Sequence, residues 1–152
     1  MHLLKGTHTA AWALSVATFY LLSQPTTLRA LKAELSAAIP KPTDIIPLAT
    51  LEKLPYLTGV IKEGLRLGYG ESSRIPRISP DAPLQLNNWV IPAGTPVSMT
   101  STFMHHDETV FPDSYAFKPE RWVNDPTGHL DRYMVAFTKG SRNCLGMPLA
   151  WA

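Results

Sequence analysis

The chain has 152 residues, with 14 Lys or Arg against 12 Asp or Glu, a formal net charge of +2 and a charged fraction of 17%; so balanced a surface argues against a nucleic-acid or polybasic membrane partner. Hydrophobic residues make up 45%, which excludes a disordered polymer and a polytopic membrane protein and leaves one domain able to bury roughly 68–70% of its unfolded surface. A single cysteine, Cys144, excludes an internal disulfide framework and Cys-rich zinc modules; alone it reads as buried filler or as a reactive or ligating thiol.

Residues 10–22 form the longest apolar run, broken by Ser15 and Thr18, with Trp12, Val16 and Phe19 at helical spacing. The run predicts a buried helix over residues 7–23. Lys5 upstream raises a targeting segment as the alternative, but 13 residues fall short of the 17–25 that span a bilayer, and no A-x-A-like cleavage site follows. Pro25 opens a second, amphipathic helix to residue 39, its stripe built from Leu28, Leu31, Leu35 and Ile39, with Arg29, Lys32 and Glu34 off it. Of the 14 prolines, 13 lie from Pro40 onward. Pro40, Pro42 and Pro47 enforce a connection before a third helix over residues 55–67. Beyond Gly70 short strands follow: residues 84–86 and 89–91 flank Asn87 and Asn88 as a hairpin, and a turn at 92–94 precedes a strand over 95–100. Residues 103–126 show no sustained periodicity.

The densest chemistry lies in FTKGSRNCLG, residues 137–146. Gly140 and Gly146 bracket Cys144, freeing the backbone to fold around the sulfur and to aim amide protons at it, which stabilises a thiolate. Arg142 supplies a fixed cation for an anionic ligand group, and Phe137 an apolar shield. These features suit a thiolate that ligates a large, flat, carboxylate-bearing cofactor.

This segment resembles the haem-binding loop of the cytochrome P450 family, Phe-x-x-Gly-x-Arg-x-Cys-x-Gly, at every fixed position. The resemblance implies haem as cofactor, Cys144 as its metal ligand and proximal thiolate, and Arg142 as partner of a haem propionate. Glu63 and Arg66, three apart on one helix face, read alone as a solvated surface pair. They are similar to the family's Glu-x-x-Arg, and Pro119, Glu120, Arg121 and Trp122 to the downstream segment that closes a network with it. Gly6, Thr7, His8 and Thr9 resemble the family's oxygen-activating helix, which implies that Thr9 hydrogen-bonds dioxygen at the haem and helps deliver protons. His8 replaces the usual acid and could relay protons as imidazole. Gly6 and Thr9 alone would merely start a helix. Arg77 matches a further propionate partner, with Arg74 as its local competitor. His105 and His106 are no metal site, because neighbours do not share a helix face and no third ligand accompanies them. His105 resembles a common family histidine with a role behind or at a propionate, or is an ordinary partly buried His.

The resemblance implies a mainly α fold with small β-sheets (α+β), in which residues 1–152 make up a partial domain. It runs from the end of the I helix through the J and K helices, β hairpins, meander and Cys loop to the start of the L helix. Complete relatives are several times longer, so the expected reading is a C-terminal fragment with exposed apolar patches. The implied reaction inserts one atom of dioxygen into a small organic substrate with electrons from NADPH-cytochrome P450 reductase. A non-catalytic remnant, or a small haem module without a substrate pocket, is the alternative. GMPLAWA and SSRIPRISP resemble filamentous-fungal microsomal members, some of which oxidise terpenoids. Their endoplasmic-reticulum location depends on an anchor for which this chain shows no evident span.

Overall fold

The computed structural model of the chain describes residues 3–39, 41, 43 and 45–151, with residues 3–6 described by backbone alone. Its elements are α1 (Leu3–Ser23), α2 (Pro25–Ala38), α3 (Leu48–Leu51), α4 (Pro55–Gly68), β1 (Arg77–Ile78), β2 (Leu84–Leu86), β3 (Trp89–Ile91), β4 (Pro96–Val97), α5 (Ser101–His105), α6 (Glu120–Val123) and α7 (Met147–Trp151). Two 3-10 turns, His129–Arg132 and Gly140–Arg142, lie between α6 and α7. The fold is mainly helical with two small antiparallel sheets. Among the described residues, no helix is long and apolar enough to cross a membrane.

Proline sets two helix starts. Pro25 and Pro55 occupy the first turns of α2 and α4, where the N–H that proline lacks has no helical partner anyway. The start of α4 is also capped from outside. Glu34 of α2 accepts the Tyr56 and Leu57 N–H groups at 2.9 and 2.8 Å, placing a carboxylate on the positive end of the helix. Glu34, off the apolar stripe of its own helix, is therefore a link between two helices rather than a solvated charge.

Leu31, Val60, Leu67 and Phe117 form the apolar core, with Val16, Tyr20 and Leu35 packed around it. Tyr20 and Phe117 stack at 4.9 Å. The crossing of α1 over α4 depends on small residues: a Cβ at Gly64 would meet the Ala17 Cβ at 2.8 Å. At the end of α4, the Trp12 indole donates to the Gly68 carbonyl at 3.0 Å. The helix expected to be buried is only half so. No described side chain of α1 falls in the buried class, and Trp12, Leu14, Phe19 and Leu22 are 55–70% exposed, because only one of its faces meets α2 and α4. The chain thus presents apolar surface of the kind that marks an interaction face.

The hairpin of β2 and β3 pairs Leu84 with Ile91 and Leu86 with Trp89, and Asn87 takes a φ of 51° in its turn. β1 pairs with β4 through Arg77 opposite Val97. Strand character stops at Val97 rather than running to residue 100, because Thr100 becomes a helix cap. Its hydroxyl oxygen accepts the Thr102 N–H, while its hydrogen goes to the Ser72 carbonyl at 2.7 Å. The aperiodic stretch that follows is organised by α5, α6 and a buried polar cluster.

Candidate functional site

Glu63 and Arg66 are both wholly buried. Such a pair persists only if every polar atom finds a partner. The Arg66 guanidinium uses all five of its N–H groups. Nε and Nη2 donate to Glu63 Oε2 and Oε1 at 3.0 and 2.8 Å. The remaining three reach the carbonyls of His105, Ser114 and Ala116 at 2.7, 2.6 and 3.2 Å. Glu63 Oε1 also accepts from the Lys118 N–H and Arg121 Nε at 3.1 and 3.0 Å, and Oε2 from the Trp122 indole at 2.8 Å. One carboxylate thus faces two guanidinium groups, and backbone carbonyls absorb the excess positive character. The Phe111 ring lies 5.2 Å from the Arg66 guanidinium carbon.

The short helix α6 decides which residues enter this network. It turns Arg121 and Trp122 inward and Glu120 outward. Glu120 is exposed and accepts the Tyr56 hydroxyl at 2.7 Å, so it lies outside the cluster it was expected to close. Trp122 supplies a direct bond to Glu63 in addition to that of Arg121. The Pro-Glu-Arg-Trp order pointed to this turn, but which of its side chains face inward is set by the tertiary contact with α4.

His105 is buried beside the pair. Its Nδ1 lies 3.0 Å from the Arg66 carbonyl and its Nε2 3.1 Å from the Val135 N–H. A carbonyl needs a donor and an amide needs an acceptor, so the ring is neutral with its proton on Nδ1. Burial pushes its pKa down to about 4, and the Arg66 charge adds to the fall. His105 therefore ties the end of α4 to the segment that leads into the Cys loop. His106 stacks on Tyr115 at 4.0 Å and bridges the Tyr69 hydroxyl and Ser114 Oγ at 2.8 and 3.1 Å. Burial lowers its pKa as well. Among the described residues, no group of three or more His, Cys, Asp or Glu is placed to hold a bare metal ion.

The loop carrying Cys144 is closed by its own backbone. Thr138 N–H donates to the Val135 carbonyl at 2.9 Å, Cys144 N–H to the Phe137 carbonyl at 2.8 Å, and Asn143 N–H to the Gly140 carbonyl at 3.1 Å. Gly140 has a φ of 79°, the left-handed conformation that glycine adopts freely. Gly146 has an ordinary backbone, and a Cβ there would sit 3.9 Å from the Cys144 sulfur, a normal contact. The Met147 N–H in turn reaches the Cys144 carbonyl at 3.4 Å. The thiol is left exposed.

Cys144, Arg142, Phe137, Thr138 and Gly146 line a cavity of about 400 Å³ whose other walls include Thr9, Ala10, Trp12, Ala13 and Ala17 of α1, Ile61, Leu65 and Gly68 of α4, and Gly70 and Glu71 beyond it. Phe137 and Thr138 also line a neighbouring cavity of about 520 Å³, which Lys62, Asp131, Lys139, Gly140 and Trp151 share. Thr9, Arg142, Phe137 and Cys144 are therefore brought together from opposite ends of the chain. His8 is exposed and does not line the cavity, since one residue along a helix turns the side chain by about 100°. Arg77 is also exposed and outside it. Its guanidinium folds back onto the Pro76 carbonyl at 3.1 Å, and Arg74 is equally exposed. Neither arginine joins Arg142 at the cavity.

The donor set at the cavity fits haem. A lone exposed thiol cannot satisfy a bare metal ion, but it suits a metal that brings its other ligands in its own macrocycle. The walls are mainly apolar, and Arg142 offers a cation for a carboxylate.

Residues 2–152 match the sequence profile of the family described as Cytochrome P450. The cytochrome P450 monooxygenase tpcC of Cochliobolus heterostrophus is 54% identical over 97% of this chain and 29% of its own length. The cytochrome P450 monooxygenase astB of Talaromyces wortmannii is 50% identical over 97% of this chain and 31% of its own length. The tryptophan 6-hydroxylase fscE of Fusarium equiseti is 50% identical over 97% of this chain and 29% of its own length. The chain spans about three-tenths of the length of these relatives. With its profile match running through the Cys144 loop and the Glu63–Arg66 helix alike, the chain belongs to the cytochrome P450 family.

Proposed function

We propose that this chain is part of a haem-thiolate monooxygenase and contains its haem-binding loop. In family terms α1, α2 and α4 correspond to the end of the I helix and to the J and K helices, and α7 to the start of the L helix. The observation that carries the reading is the convergence of Cys144, Arg142 and Phe137 with Thr9 on one apolar cavity. Haem, when bound, supplies the redox centre at which one atom of dioxygen enters an organic substrate. The chain's own residues do the rest. Cys144 Sγ would ligate the iron, Arg142 would pair with a haem carboxylate, and Phe137 would offer the macrocycle an apolar wall beside the sulfur. Gly140, at its positive φ, keeps the loop tight, and Gly146 lines the cavity beside the sulfur. Thr9 Oγ1, on another wall, holds and passes a proton, with exposed His8 exchanging protons with solvent beside it. The network of Glu63, Arg66 and Arg121 keeps α4 and the meander in register, so that the loop after Val135 is presented correctly. Electrons come from NADPH-cytochrome P450 reductase, and the substrate is a small organic molecule of the terpenoid kind. The whole protein belongs at the endoplasmic-reticulum membrane.

The test is the reduced carbon monoxide difference spectrum of the chain reconstituted with haem, beside Cys144→Ala. A thiolate-type Soret band that disappears in the variant supports the assignment, and an unchanged band refutes it. The exposed face of α1, with Phe19 65% and Leu22 70% accessible, favours one second reading for the isolated polypeptide, that of a non-catalytic remnant. Haem uptake without any thiolate band, from a chain that stays molten, would select it.

A further inference from the structure

Thr138 stands in a conformation its side chain disfavours. Its φ is 57°, in the left-handed region where a β-branched residue is an outlier. The peptide that carries the Phe137 carbonyl is bounded by the ψ of Phe137 and the φ of Thr138, so this angle directly aims the carbonyl. So aimed, it accepts the Cys144 N–H at 2.8 Å. Glycine would adopt the angle without strain. Threonine brings something glycine lacks, for its hydroxyl donates to the Arg142 carbonyl at 3.1 Å. Backbone and side chain of one residue thus hold two of the loop positions that line the cavity, 142 and 144.

We infer that Thr138 is the positioning residue of the Cys144 loop, a strained latch that fixes Arg142 through its hydroxyl and Cys144 through the direction of the Phe137 carbonyl. The functional part rests on the reading of Cys144 as a haem ligand, whereas the latch itself is a property of the chain. Three variants separate its components. Thr138→Val keeps the branched side chain and loses the hydroxyl. Thr138→Gly loses the hydroxyl and the strain together, so it carries the same test if the valine chain does not fold. Thr138→Ser keeps the hydroxyl.

Amide hydrogen exchange of residues 142–145 in the complete chain reads the latch. Loss of one hydrogen bond corresponds to exchange about 2- to 12-fold faster in the valine variant, with a smaller rise in the glycine variant, where relief of the strain offsets part of the loss, and the serine variant close to the parent. In the haem-loaded proteins, the share of haem giving the thiolate carbon monoxide band falls about twofold or more in the valine and glycine variants and returns in serine. Exchange rates that are the same in all four chains overturn the latch. Faster exchange with an unaltered thiolate share overturns its role in positioning the ligand. A parent chain with no thiolate band would instead count against the haem reading, and the exchange rates would still decide the latch.

Discussion

Replacing Glu63 with glutamine changes almost no volume and removes one charge from a wholly buried cluster. The carboxylate accepts five hydrogen bonds, three at Oε1 and two at Oε2. A glutamine amide must put its NH2 at one of these positions. The less costly choice is Oε2, where it sets donors against Arg66 Nε and the Trp122 indole and leaves both unsatisfied. Each buried orphaned donor costs about 1–3 kcal/mol. Arg66 also loses its counter-charge, and breaking a buried pair from one side costs about 3–5 kcal/mol in all. Against a total stability of about 5–15 kcal/mol that is a large share. In urea, followed by far-UV circular dichroism, a loss of about 4 kcal/mol at a slope of about 2 kcal/mol per molar moves the midpoint down by about 2 M. Combining Glu63→Gln with Arg66→Leu should not restore stability, because the carbonyls of His105, Ser114 and Ala116 then lose their donor. A shift of less than about 0.5 M at unchanged slope would refute the reasoning and make the pair energetically a surface one.

The same denaturation measured against pH tests His105. Its folded pKa of about 4 lies below the unfolded value of about 6.5, so the stabilisation is complete above pH 6.5 and is lost as pH falls toward 4, by about 3 kcal/mol in total. His106, also lowered, acts in the same direction. A midpoint that stays flat between pH 7 and pH 5 would contradict the neutral, buried assignment. Glu34→Ala should cost about 1–2 kcal/mol by uncapping α4. Glu120→Ala should leave the urea midpoint nearly unchanged, and a loss as large as that of Glu63→Gln would show that Glu120 belongs to the network after all.

What could be read from the sequence was whatever local chemistry decides. Pro25 announced its helix because proline fits the first turn. Asn87 and Asn88 announced their hairpin because Asn accepts positive φ, and the pairing of residues 84–86 with 89–91 followed. The Cys144 loop was legible because its glycines, arginine and cysteine stand within ten residues of one another. The rest depended on partners far along the chain. Periodicity placed Glu34 off the apolar stripe of α2 but could not show that its carboxylate meets the start of α4, 22 positions on. The segment Pro119, Glu120, Arg121 and Trp122 was recognisable, yet its helix was not, and only packing against α4 selected Arg121 and Trp122 over Glu120. Arg77 stood where its motif places an arginine and His8 where the motif has an acid, and neither lines the cavity. His105 looked like one of a pair. Its tautomer became determined only by an amide 30 residues later, and the strain at Thr138 leaves no trace in composition or spacing.

The central claim is that the Cys144 sulfur is the protein's bond to haem iron. Iron K-edge X-ray absorption on the haem-loaded chain tests it most directly. A sulfur scatterer in the first shell of the iron, lost in Cys144→Ala while haem is still retained, is the predicted result. A first shell of nitrogen or oxygen alone in the parent chain, or a sulfur signal that survives the substitution, would contradict it.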